Sequence, residues 1–430
     1  MSNTITPTVF YRTLNMEGLE IFYREAGPRA VHYGCNANAI PRCISRNTVL
    51  LAFASLFADI SSEMLYPILP IFLTQVLHAS GSVVGVVEGI AEATQNVVQG
   101  FSGWLSDKLQ KRKPLALIGY FVSALGKPLM GIATAWPGVL GGRFLDRFGA
   151  GFRSAPRDAL IASSVSDEYR GRAFGLEGIG DNLGAFLGPL LAVLLFLSFH
   201  FEIRWIFLLA IVPGLLAFSM ILLVHERPMP VAAKSKIDVS LREFPVGYWK
   251  YLLVIAIFEI GNSSNSFLIL QTKSIGASFA VTVLIYAGFN LVAALISYPA
   301  GSLSDRWGRR NILLASFVIF FVAYLGFART RSVVAIAVLF VFYGLFQGIF
   351  RSVGKALASD FVPELLRASA VGWYSAVVGL LGLIASVVAG QLWDHVSHAA
   401  VFYYGAIFAI AGVVGLLFIP GKRNRSAVYA

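Results

Sequence analysis

Residues 103–115 read GWLSDKLQKRKPL, and residues 301–313 read GSLSDRWGRRNIL. Four cations, Lys108, Lys111, Arg112 and Lys113, crowd the first copy, in a chain whose 430 residues are 57% hydrophobic and 13% charged. Soluble proteins average about 45–50% apolar and about 25% charged residues, so a mean hydropathy of +0.72 is a membrane composition. Apolar runs of about 20 residues, each able to cross a hydrocarbon core of about 30 Å as helix, predict spans at 48–77, 81–105, 114–134, 137–161, 171–199, 203–224, 248–272, 276–301, 312–330, 333–358, 367–393 and 400–419. Both basic stretches then fall in the connection after the second helix of a set of six. The fold class that follows is an all-α membrane protein, twelve transmembrane helices in two pseudo-symmetric six-helix bundles.

The cations also set the orientation. Connections on one side carry 23 Lys+Arg and those on the other only Arg204, Lys273, Arg329 and Arg331, which by the positive-inside rule predicts both termini in the cytoplasm. The first 40 residues lack an apolar signal core, so the first helix is expected to act as its own insertion signal. Residues 1–47 read as a cytoplasmic tail without order, 48–224 as the first bundle, 225–247 as a basic linker, 248–420 as the second bundle and 421–430 as a tail. A shift of 198 pairs Gly103 with Gly301, Asp107 with Asp305, Arg112 with Arg310, and Arg153-Ser154 with Arg351-Ser352; a shift of 197 pairs Arg170 with Arg367 and Gly175 with Gly372. Two like bundles around a central path suit alternating access. Cys35 and Cys43 precede the first span without ligand partners and read as free thiols, with no disulfide, metal or cofactor implied. The net charge of +11 is accounted for by topology and the bilayer, not by a nucleic acid, and no Walker sequence points to ATP.

Six helices plus six, with G-x-L-x-D and trailing cations after the second and eighth, resembles the major facilitator superfamily of secondary transporters over about residues 48–420. The resemblance implies that the glycine allows close helix packing and that the aspartate latches the outward-facing state, with Gly103, Asp107 and Arg112 as latch residues and Gly301, Asp305 and Arg310 as weaker partners. GAFLGPLLA in the fifth span is similar to the motif of drug/proton antiporters through Gly184, Gly188 and Pro189, although Ala192 and Val193 stand where further glycines are expected. Arg143 lies near where those antiporters keep a functional arginine. Residues 14–28, LNMEGLEIFYREAGP, faintly resemble an α/β-hydrolase N-terminus, but no G-x-S-x-G elbow follows.

Ionisable groups inside a bilayer cost at least about 2.5–3.5 kcal/mol each and so mark function or a partner. Asp59 and Glu63 lie one turn apart in the first span, beside Tyr66, Pro67 and Pro70. Two such acids repel when both are charged, so one is expected to hold a proton unless an arginine of the fourth span pairs with it. Glu88, Glu92, Gln95 and Gln99 stripe the second span, and Glu177 with Asp181 the fifth. Asp59, Glu63, Glu88, Glu92, Glu177 and Asp181 are the candidate proton-coupling acids. Tyr66, Gln95, Arg143, Arg147, Glu259, Asn262, Ser266, Tyr286, Asn290, Tyr343 and Gln347 are expected to line the substrate path, because polar stripes must face a wet interior. Arg153, Arg157, Arg351 and Lys355 are read as a gate that snorkels or pairs with Asp107 and Asp305, or else as a clamp for an anion.

The function expected is proton-coupled efflux of small, drug-like or toxic compounds by alternating access; the alternative is symport or exchange of an anionic metabolite. No catalytic constellation is present, so the chain reads as no enzyme. Its expected partners are a small-molecule substrate, protons and the lipid of a plasma membrane, in a bacterium the inner one, with the chain acting as a monomer.

Overall fold

The computed structural model describes residues 9–16, 19–26, 45–109, 111–165, 169–226, 244–363 and 366–419. Most of the linker, the C-terminal tail, Cys35 and Cys43 lie outside them. The chain divides into two units, Met1–Cys43 and Ile44–Ala430. In the first, β1 (Val9–Met16) and β2 (Leu19–Ala26) pair antiparallel in a register running from Val9 opposite Ala26 to Met16 opposite Leu19. A hairpin thus stands where a tail without order was expected; β-branched and aromatic residues in VFYRTLNM and LEIFYREA favour it.

The second unit is helical: α1 (Arg46–Glu63), α2 (Leu69–Ile71) running into a π-helical turn at Phe72–Val76, α3 (Gly81–Leu109), α4 (Arg112–Ile132), α5 (Trp136–Ser163), α6 (Arg170–Ser198), α7 (Ile203–Leu209), α8 (Ile211–Leu223), α9 (Val246–Gly261), α10 (Ser266–Ser274), α11 (Phe279–Trp307), α12 (Arg309–Arg329), α13 (Val333–Asp360), α14 (Arg367–His395) and α15 (His398–Leu417). All twelve expected spans are present, three of them interrupted: the first at 64–68, the sixth at Ala210 and the seventh at 262–265. Among the described residues, nine spans are long and apolar enough to cross a membrane. The other three, residues 46–76, α3 and α5, hold Asp59, Glu63, Glu88, Glu92, Arg143, Arg147, Arg153 and Arg157. The chain is a multi-pass membrane protein.

The repeated basic stretch is largely helix. Gly103–Leu109 forms the last turns of α3 and Gly301–Trp307 those of α11, so the connections shrink to residues 110–111 and to Gly308 alone. Gly308 turns the chain at φ +87°, ψ 133°, a region essentially closed to residues with a Cβ, though no atom lies within 4 Å of where that Cβ would stand. Gly308→Ala is therefore expected to cost about 1–3 kcal/mol of backbone strain alone, read as a lower thermal midpoint of the purified protein. An unchanged midpoint would refute the strain.

The bundles meet from the end away from the basic connections to about mid-depth, where a Cβ added to Gly379 of α14 would stand 2.6 Å from Asn96 of α3. At the end away from the basic connections, Met64, Ile68, Phe72, Val84 and Val87 of the first bundle share a buried cluster with Phe267, Leu270, Val283 and Ala389 of the second. Gly85 of α3 approaches α14 so closely that an added Cβ would sit 2.1 Å from the Ser386 carbonyl oxygen. Phe196 of α6 meets Phe279 of α11 with ring centroids 4.2 Å apart. At the basic end the apolar cluster around Leu51, Tyr120, Leu160 and Ile221 belongs to the first bundle alone. There Gly100, Gly175, Gly301 and Gly372 face open space, and Leu295 and Tyr298 of α11 are 67% and 84% exposed. The molecule is closed at the far end and open at the basic end.

Candidate functional site

Glycines bring α4 and α5 together: a Cβ added to Gly126 would stand 2.6 Å from the Asp146 amide nitrogen, an approach that only small residues allow. At this crossing the Lys127 ammonium donates to Asp146 Oδ1 at 2.9 Å and to Ser123 Oγ and the Ser123 carbonyl, each at 3.1 Å. Ser123 Oγ donates to the same carboxylate oxygen at 2.8 Å. Arg143, 1% exposed, reaches Glu88 Oε2 at 3.0 Å and Asp146 Oδ2 at 3.4 Å. Charges taken out of water are tolerated only when paired and hydrogen-bonded; in this chain of Lys127, Asp146, Arg143 and Glu88 every charge is paired, while Glu88 Oε1 and Arg143 Nε are buried without a partner. Glu88 is thus engaged by a cation, and Arg143 by two carboxylates of the protein.

Arg147, one turn on, donates to Gln95 Oε1 at 3.1 Å and lies 3.7 Å from Asp146, yet its buried Nη2 has no partner. Both arginines lie over the Tyr66 ring, 5.4 and 6.0 Å from its centroid. Tyr66 sits in the interruption of the first span and stacks on Tyr286 of the second bundle at 5.3 Å. Tyr286 and Asn290 donate to Glu63 Oε2 at 3.0 and 3.3 Å, and Asn290 also donates to the Ala185 carbonyl. Glu63 is thus a carboxyl group on the seam between bundles, held from the other side by two neutral groups.

Nearer the open end, Arg157 pairs with Glu177 at 2.9 Å and with Asp158 at 3.0 Å, and lies 4.0 Å from Asp181. Ser55 donates to Glu177 as well. Arg153 stacks over Tyr120 at 4.4 Å and lies 3.9 Å from Asp59. Of the expected partners, Asp305 meets Arg309 one turn away, and the Asp107 side chain lies outside the described residues. Arg112 donates to the Ala159 carbonyl, and Glu226 accepts the first amides of α4, from Arg112 and Lys113. A Cβ added to Gly103 would stand in ordinary contact with Ala155, at 3.4 Å, and one added to Gly301 would meet nothing within 4 Å. Gly184 and Gly188 abut the α1 backbone, and Pro189 lies within continuous α6.

The pairing of the repeats also shifts. Arg112 bonds the Ala159 carbonyl and Lys113 that of Leu222; Arg309 bonds the Ala356 carbonyl and Arg310 that of Ile419. All four positions match at a shift of 197, so the counterpart of Arg112 is Arg309 and that of Lys113 is Arg310. The single-residue turn at Gly308 removes the extra residue. Beyond it, Arg153 matches Phe350 instead of Arg351, and Arg157 matches Gly354 instead of Lys355, so the four cations are no symmetric clamp. Tyr120, Lys127, Arg143, Asp146 and Arg153 correspond at this shift to Phe317, Tyr324, Phe340, Tyr343 and Phe350 of the second bundle, all in one aromatic core. One bundle packs this crossing with charge, its twin with rings.

In the second bundle Tyr343 donates to Asn265 Oδ1 at 2.7 Å, Asn262 donates to Glu259, Ser266 is fully buried and Gln347 half-buried. Glu92, Arg351 and Lys355 are exposed. Lys127 and Ser123 are the site residues that the sequence reading missed; the one available signal was a lysine deep within an apolar run.

The profile of the Major Facilitator Superfamily matches residues 51–264 and 251–428. An uncharacterized MFS-type transporter of Methanocaldococcus jannaschii is 36% identical over 388 residues, covering 89% of this chain and 97% of the relative. A multi-drug resistance efflux pump homolog of Lactococcus lactis is 27% identical, covering 86% of this chain and 93% of its own. Among solved structures, a D-xylose-proton symporter superposes with a TM-score of 0.70 at 16% identity, covering 86% of this chain and 96% of that one. With twelve spans, two bundles closed at one end and a charged seam between them, the chain belongs to the Major Facilitator Superfamily, a secondary transporter of small molecules and no enzyme.

Proposed function

We propose that the protein exports small, drug-like or toxic compounds in exchange for protons, with its basic end and both termini in the cytoplasm and one chain as the working unit. The observation that carries the reading is Glu63, whose carboxylate reaches across the seam to Tyr286 and Asn290. A proton on Glu63 removes an acceptor charge from those two bonds, so loading and unloading it biases how the bundles dock. Asp59, one turn away, faces the open end beside Arg153 and Asp181 and offers a route for that proton. The name of the Lactococcus relative, an efflux pump, supports the direction. The test uses everted vesicles with an acidified lumen, challenged with cationic, neutral and anionic compounds. Proton release triggered by particular compounds is expected in the native protein and at least a tenfold loss in Asp59→Asn with Glu63→Gln; unchanged release in that variant would sink the assignment.

The alternative, a carrier for an anionic metabolite, draws support from Arg147, whose Nη2 is buried without a partner. On that reading only anions elicit a response, and Arg147→Lys, which ends two-pronged contact with oxygens, harms transport more than loss of the acids does.

A further inference from the structure

The interruption of the seventh span holds a group that the proton reading does not use. α9 ends at Gly261, α10 begins at Ser266, and Asn262 between them adopts φ −92°, ψ 80°, which frees backbone carbonyls from the helical ladder. Membrane helices tolerate such breaks where the freed groups find partners, and transporters use them to hold ions. Glu259, one turn before the break, is 2% exposed. The bonds to its carboxylate come from Asn262 Nδ2, at 3.3 and 3.4 Å, and among the described residues it forms no ion pair. The groups in electrostatic reach are Glu92 from the facing bundle and the phenols of Tyr324, Tyr343 and Tyr374. None is a cation. A buried carboxylate in this setting is costly.

Two further oxygens on the same short stretch lack partners: Asn262 Oδ1 and Ser266 Oγ, both buried, with Ser266 at 0% exposure. Ser263 and Ser264 beside them are buried too. A proton on Glu259 would neutralise one carboxylate and still leave these oxygens unmet. These oxygens belong to one stretch, residues 259–266, and carboxylate, amide and hydroxyl oxygens are the donor set that hard cations prefer. One carboxylate among neutral oxygens matches a single positive charge, whereas calcium sites gather six to eight oxygens, commonly with several carboxylates.

We propose that the break in the seventh span binds an alkali cation of sodium size, with Glu259 supplying the charge and Asn262 and Ser266 neutral oxygens. The site is separate from Asp59 and Glu63 and stands whether or not those acids carry protons. A cation there also screens Glu259 from Glu92, so its binding favours the approach of the two bundles.

The test needs no transport substrate, so it is independent of the efflux reading. The purified full chain in detergent is heated in sodium, lithium, potassium or choline chloride at constant ionic strength and pH. A saturable rise of the thermal midpoint is expected with sodium, about 5 °C when sodium exceeds its dissociation constant a hundredfold. It should be absent in choline, lost in Glu259→Gln and right-shifted at least threefold in Ser266→Ala. Equal shifts in choline, or a sodium response surviving in Glu259→Gln, overturn the site, as does stabilisation by acid alone without sodium dependence. Should Glu259→Gln fail to fold, Ser266→Ala and Asn262→Ala carry the test: an unaltered sodium midpoint in both refutes the proposal.

Discussion

Asp146→Asn is expected to remove most of the folded protein. Asp146 is 1% exposed and accepts from Lys127, Ser123 and Arg143; the amide keeps the shape but loses the charge that two buried cations face. Arg143 retains Glu88, whereas Lys127 keeps only Ser123. Breaking a buried pair by neutralising one partner costs about 3–5 kcal/mol, a large share of the roughly 5–15 kcal/mol that holds a domain together. The expected readout is a collapse of the monodisperse peak on size exclusion and a thermal midpoint far below native. Removing the orphaned charge as well, in Lys127→Met with Asp146→Asn, should recover about 1–3 kcal/mol relative to the single variant. A single variant that elutes and melts like the native chain would show that water, not Lys127, meets Asp146.

The same crossing in the second bundle holds Tyr324 and Tyr343, with ring centroids 6.0 Å apart, inside an aromatic core. The geometry of the crossing thus does not itself demand ions. What the first bundle gains from Lys127, Asp146, Arg143 and Glu88 is a rigid polar wall that orients Arg147 and, through Tyr66, touches the seam. That argues for a functional reason to keep charge there, since replacing buried ion networks by apolar packing is often neutral or stabilising.

The spans and the duplication were legible because both rest on patterns along one strand of text: apolar runs, and a basic stretch recurring near residues 103 and 301. The slip from a shift of 198 to one of 197 was legible, but its place was not, because it falls in the connection, where 110–111 corresponds to Gly308 alone, and the charged positions that should have marked the register after it are aromatic in the second copy. Lys127 went unnoticed for a related reason: its partner lies 19 residues away on another helix, and periodicity within a helix reveals which residues share a face, not which faces meet. Pro67 and Pro70 announced the break in the first span. The seventh span carries no proline there, only Gly261, Asn262, Ser263, Ser264 and Asn265, whose weak helix propensity is easily outvoted by the apolar runs on either side. Openness at the basic end could not be read at all, since the same residues must serve both states of an alternating carrier.

Loss of the Asp394 carboxylate is expected to shift that two-state balance by about two- to thirtyfold. Asp394, near the end of α14, accepts from the amides of Gly81 and Ser82 at 2.8 and 2.7 Å and from the Ser82 hydroxyl at 2.5 Å. These amides belong to the first turn of α3, where backbone N–H groups have no helical partner and the helix dipole favours a negative charge. The cap of one bundle's helix is thus supplied by the other, and it exists only while the far end is closed. Capping side chains contribute about 0.5–2 kcal/mol, and each 1.4 kcal/mol is tenfold in population. Asp394→Ala removes the cap from the closed form alone, so the form open at the far end rises; Asp394→Asn, which keeps one acceptor oxygen, should fall between. Spin labels on Trp136 and Val334, exposed at the far ends of α5 and α13, would read this by pulsed dipolar spectroscopy as a growing long-distance population in Asp394→Ala. The close approach of Gly85 to Ser386 gives an independent handle, because Gly85→Val wedges the same contact apart and should move the distribution the same way. If both variants kept the native distribution, the far-end contacts would not be what holds the carrier in this state.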